Sequence, residues 1–112
     1  MSSPHYDWRV NVDLMVRNYP HRITEAAELG QKMPPAKLRE YESVTEAISS
    51  IRGKPDGTGK LQLIQDMYWD GPKKKPLGEA ATAQGLADQK AKQWRKAFLL
   101  IVAANFGYLF PR

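Results

Sequence analysis

The sequence predicts an all-α fold: a small helical domain with a C-terminal helix-turn-helix and a long apolar last helix. Three observations carry this. Apolar residues recur every three or four positions in the first half, as Trp8, Val12, Met15 and Tyr19, then as Leu38, Tyr41, Val44 or Thr45, Ile48 and Ile51. That spacing lines one face of an α-helix. Leu77 to Asn105 is Ala-rich, is broken by Gly85, and is cationic before it turns apolar. Finally, Phe98 to Ala104 (FLLIVAA) is apolar on every side, so a helix there must be covered by the N-terminal helices, by a second copy, or by part of each.

The chain has 112 residues, 42% hydrophobic and 26% charged, which suits one cooperative domain that buries a core without disulfides or metal. It has no cysteine, which excludes disulfides, thiolate zinc sites and cysteine nucleophiles. No apolar run approaches the ~18 to 20 residues that cross a bilayer, and Met1 to His5 lacks the regions of a signal peptide. A cytoplasmic protein without a membrane partner is the expectation. The net charge of +5 is uneven: residues 1–59 hold eight Lys/Arg and eight Asp/Glu, residues 60–112 nine and four. A polyanion partner for the second half is the natural inference, although an acidic protein surface fits the same arithmetic.

In chain order, Ser3 as N-cap and Pro4 at the first helical position open a helix that Pro20 ends. Its Trp8 and Tyr19 share a stripe with Val12 and Met15, so they read as core anchors rather than a base-stacking platform. Arg9 and Arg17 read as solvated. A brief helical piece, Ile23 to Leu29, stops at Gly30, and Pro34-Pro35 forces an extended link. The next helix runs from Ala36 to Arg52 with Gly53 at its end. Its Glu40, Glu42 and Glu46 have nothing catalytic beside them and read as a solvated face. Gly53 to Lys60, GKPDGTGK, reads as a linker. It is not a phosphate loop, because Lys54 and Leu61 stand where that motif needs a glycine and a hydroxyl.

This divides the chain into an N-terminal helical part, 1–59, that packs on or dimerises the domain, and a DNA-binding part, 60–112. In the second part Lys60 to Trp69 forms a helix with a broad buried face, and Asp70-Gly71-Pro72 terminates it. Lys73, Lys74 and Lys75 then make a basic loop suited to a DNA phosphate. Leu77 to Gln84 is a short helix, Gly85 the turn, and a second helix starts near Asp88. Gln89, Lys92, Gln93 and Lys96 fall on one face, where amides and cations would read base edges, while Lys90 and Arg95 would join the lysine loop on phosphates. Ala87, Ala91, Trp94, Phe98 and Ile101 fall on the opposite, dry side, with Ala81 and Leu86 completing the core of the unit. A solvated surface helix with Gly85 inside one continuous rod, at roughly 1 kcal/mol against Ala, is the competing reading.

The order helix, Tyr68-Trp69-Asp70-Gly71, basic loop, Leu77 to Gln84, Gly85-Leu86, Lys92-Gln93-Trp94-Arg95-Lys96 and an apolar helix ending Phe106-Gly107-Tyr108-Leu109 resembles phage late-gene transcription regulators of the RinA and ArpU type. Those proteins look like the sigma-factor region that reads the −35 promoter element. The resemblance covers about half the chain, and in the first half it rests mainly on Asn18-Tyr19-Pro20. It implies a small regulator that binds double-stranded DNA and acts with host RNA polymerase; a homodimer would engage two half-sites. Two other readings stay open: a DNA-free module docking polymerase or a phage assembly component, and a small terminase-like packaging protein. No enzyme, cofactor, metal or small-molecule substrate is expected, since His5 and His21 are far apart and no nucleophile-base grouping is present.

Overall fold

Proline has no amide hydrogen and a fixed φ, so it fits a helix's first turn better than its interior. The computed structural model, which describes residues 8–108, uses Pro20 in this way. Helix α1 (Trp8–Arg17) stops before Asn18, and α2 (Tyr19–Leu29) begins with Pro20 in its first turn. The proline expected to end the first helix thus opens the second, and Tyr19 reaches the core from α2. The proposed caps Ser3 and Pro4 lie outside the described residues.

Gly30, at a φ of 53°, ends α2, and a tight turn at Gly30–Lys32 leads to the extended Pro34. Helix α3 (Pro35–Arg52) follows, again with proline in the first turn. Val44, Ala47 and Ile51 are buried along it, with Tyr41 and Ile48 packed beside them. Glu42 and Glu46 are exposed as expected, but Glu40 accepts a 3.3 Å hydrogen bond from Arg22 Nε.

The glycine-rich stretch is largely not a linker. Helix α4 (Gly57–Ile64) begins inside it, leaving only residues 53–56 as connection. Glycine acts here by close approach rather than by flexibility. A Cβ on Gly57 would stand 2.1 Å from the Ile51 carbonyl oxygen, and one on Gly59 would stand 3.2 Å from the Trp94 ring.

Helix α4 passes into a π turn, Gln65–Trp69. Tyr68 there donates through its hydroxyl to Asp13 Oδ1 at 2.6 Å, and Trp69 Nε1 donates to the Val16 carbonyl at 2.6 Å. Both join the two halves of the sequence across more than fifty residues. Arg17 is more than a solvated cation: its Nε donates to Asp13 Oδ2 at 2.6 Å and its guanidinium lies 5.1 Å from the Tyr68 ring centre.

Two more helices, α5 (Leu77–Ala83) and α6 (Asp88–Phe106), complete an all-α architecture, with six α-helices among the described residues. The main core draws Val12 and Val16 from α1, Val44 and Ile51 from α3, Ile64 from α4, and Phe98, Val102 and Ala103 from α6. A row of aromatic rings, Tyr41, Tyr19, Trp69 and Phe98, runs through it at centre distances of 5.8, 5.5 and 6.3 Å. Helices α1 and α3 cover most of the apolar run from inside the same chain: Phe98, Leu99, Val102 and Ala103 are buried, Leu100 and Ile101 half-buried. Helix α6 ends in a paired-hydrogen-bond cap at Gly107, where Tyr108 N bonds Ala103 O at 2.9 Å and Gly107 N bonds Ala104 O at 3.2 Å. Among the described residues no helix is long and apolar enough to cross a membrane.

Two outcomes follow for stability. Gly57→Ala should cost about 1–3 kcal/mol by driving a methyl group into backbone, measured by urea unfolding. Burial, with the Asp13 carboxylate adding to it, raises Tyr68 above the ordinary phenol value. Folding therefore favours the neutral phenol, so this stabilisation is whole below about pH 10 and is lost as pH rises through the folded-state value. Ultraviolet titration should show fewer than all five tyrosines ionising before the protein unfolds, and Tyr68→Phe should remove the late phenol.

Candidate nucleic-acid interface

Small residues let α5 and α6 meet. Ala80, Ala81 and Ala91 are buried with Leu63 of α4 in a second, smaller cluster, onto which Met67, Leu77, Leu86 and Trp94 pack. Helix α5 is only seven residues long, too short to be stable alone, so this cluster is what holds it.

Its end follows from glycine. Gly85 has a φ of 69°, Leu86 N bonds the Ala81 carbonyl at 2.8 Å, and Gly85 N bonds the Thr82 carbonyl at 3.0 Å. This pair of bonds caps the helix and carries Leu86 back onto the cluster. A Cβ at Gly85 would have nothing within 4 Å, so only the left-handed backbone demands glycine there. Gly85 separates two helices and does not lie inside one rod.

Helix α6 starts at Asp88 after Ala87, which is extended and exposed rather than part of the dry side. Gln89, Lys92, Gln93 and Lys96 are all exposed, and at about 100° per residue they share one face of its first three turns. On the other side Ala91 is buried, Trp94 lies half-buried against Gly59, and Phe98 belongs to the main core rather than to the small cluster. Beside Trp94, the side-chain amide nitrogen of Gln84 is buried without a hydrogen-bond partner.

The remaining cations fall into separate places. Lys73 and Lys74 are exposed in the loop before α5, and Lys75, half-buried, donates its backbone N–H to the Asp66 carbonyl at 2.8 Å, which pins that loop to the π turn. Lys90 is exposed on a different side of α6 from Lys92. Arg95 is half-buried and faces α1, lining a groove with Arg9, Val10, Asp13, Leu14 and Leu99, and it shares an adjoining hollow with Lys92 and Lys96 but not with Gln89 or Gln93.

Charge is concentrated here. Residues 73–96 hold seven Lys/Arg and two Asp/Glu, a difference of five that equals the charge of the whole chain. Ion pairs occupy the first half, where Arg17 meets Asp13, Arg22 meets Glu25 and Glu40, and Lys37 meets Glu25. Among the described residues no Lys or Arg of 73–96 stands within ion-pair distance of a carboxylate. Among the described residues no three His, Asp or Glu side chains gather as a metal site.

Sequence reasoning missed Asp13, which holds both Tyr68 and Arg17, and the groove-lining pair Val10 and Leu14. The latter had a signal, since two apolar residues four apart on the outward side of α1 cannot share the buried stripe of Val12 and Met15. Comparison with protein-family models, curated proteins and solved structures finds no match.

Gly85→Ala should destabilise the protein by about 1–2 kcal/mol, the cost of a left-handed residue with a Cβ. A melting temperature lower by several degrees, with unchanged helical circular dichroism below the transition, is the expected result; stabilisation would place Gly85 in ordinary helix.

Proposed function

We propose that the protein binds double-stranded DNA sequence-specifically through α5, the Gly85 turn and α6, and that it regulates transcription. One observation carries the reading: two amides and two lysines stand exposed on the N-terminal half of the second helix of a glycine-turned pair, on the segment that holds all the excess charge. In such a unit the start of the second helix enters the major groove. Gln89 and Gln93 then supply the paired donor and acceptor that match adenine, with Lys92 and Lys96 beside them. Lys73, Lys74, Lys75 and Lys90 neutralise phosphates, and Arg95 contributes to the field rather than to base contact.

The narrower role, a regulator of phage or prophage late genes acting with host RNA polymerase, rests on the resemblance to the RinA and ArpU type. A homodimer on two half-sites belongs to the same proposal, because one reading helix contacts only a few base pairs.

Selection from a random duplex pool should enrich one motif, and affinity for it should fall steeply with salt. Gln89→Ala or Gln93→Ala should relax preference at one base pair by about 1–3 kcal/mol. Each lysine removed from a phosphate contact should lower the salt slope by about 1 without altering the motif. A pool that never enriches, with duplex affinity insensitive to salt, would end the reading.

A further inference from the structure

We propose that the groove between α1 and the middle of α6 docks an acidic amphipathic helix of a partner protein. Two adjoining hollows of about 390 and 200 Å³ share Arg9, Arg95 and Leu99 in their walls and make one trough. Val10 and Leu14 lie one turn apart on α1, 57% and 49% exposed. Across from them Arg95 and Leu99 lie one turn apart on α6, and Trp8 closes one end. The apolar pair Val10 and Leu14 at that spacing, with Leu99 opposite, matches the ridge of a helix whose anchors recur every three or four residues.

The charges select the occupant. Lys92, Arg95 and Lys96 line the trough together with Arg9, and among the described residues the one carboxylate lining it is Asp13, which is already held by Tyr68 and Arg17. Carboxylates flanking an apolar ridge would meet Lys92, Arg95 and Lys96 while Leu14 and Val10 leave water. Nucleic acid fits less well, since phosphates gain nothing from exposed Val10 and Leu14 and would meet Asp13. Self-pairing through this trough would set the Lys92, Arg95 and Lys96 of one copy against those of the other, which opposes a second copy as its occupant.

Lys92 and Lys96 belong both to the trough and to the Gln89–Lys96 face, whereas Leu14 lies only in the trough and Gln89 and Gln93 only on the face, so Leu14→Asp and Gln93→Ala test docking and DNA reading separately.

The test uses the full chain and a fluorescein-labelled helical peptide with leucines at i, i+3, i+4 and i+7 flanked by glutamates, compared with the same peptide carrying lysines for the glutamates. The protein should bind the acidic peptide and not the basic one. Leu14→Asp and Arg95→Glu should each weaken binding about tenfold or more. Leu14→Asp alters an exposed side chain away from the amide face, so it should leave the melting temperature and any duplex affinity unchanged. Equal affinity for both peptides, an unaltered affinity in Leu14→Asp, or self-association that Leu14→Asp abolishes would each overturn the proposal.

Discussion

The fold depends on α6 being one unbroken helix with two unlike halves. Its first half carries Gln89, Lys92, Gln93 and Lys96 in water, while its second buries Phe98, Leu99, Val102 and Ala103 under α1 and α3. The apolar half provides the burial, of order 1.5–3 kcal/mol for each large side chain, that fixes the polar half in space. The polar half contributes through its inner side, where Ala91 and Trp94 pack in the smaller cluster that holds α5.

A second constraint is the junction around Asp13. Tyr68 and Trp69 sit in a π turn, which moves side chains around the helix axis relative to α-helical spacing and lets both reach α1. The same turn receives the lysine loop, since the Asp66 carbonyl accepts the Lys75 amide. Packing that joins the sequence halves therefore also sets the position of α5, through a short loop and an alanine seam.

The helical class, the Gly85 turn and the exposed amide face were legible in the sequence because each follows from local rules: apolar spacing of three and four, and glycine where φ is positive. Pro20 and the 53–60 stretch were misread for a related reason. Proline and glycine each have two uses, as breaker or first-turn residue and as hinge or close-contact residue, and only tertiary neighbours such as the Ile51 carbonyl and the Trp94 ring decide between them. Arg95 lies in a run of basic residues, yet its position around the helix turns it toward α1, which no count of charge reveals. Asp13 was invisible because its importance lies in a partner 55 positions away.

The cap at Gly107 and the sealed half of α6 bear on how the exposed half meets anything else. To tilt, the rod would have to drag Phe98 and Val102 out of the core, and to unwind near Gln93 it would have to pull Ala91 and Trp94 off the cluster that holds α5, so the amide-bearing surface is present in its finished shape before encounter. Little chain disorder is then lost on association, and whatever adjustment a close fit requires must come from the other molecule, as bending or groove-width change if that molecule is a duplex.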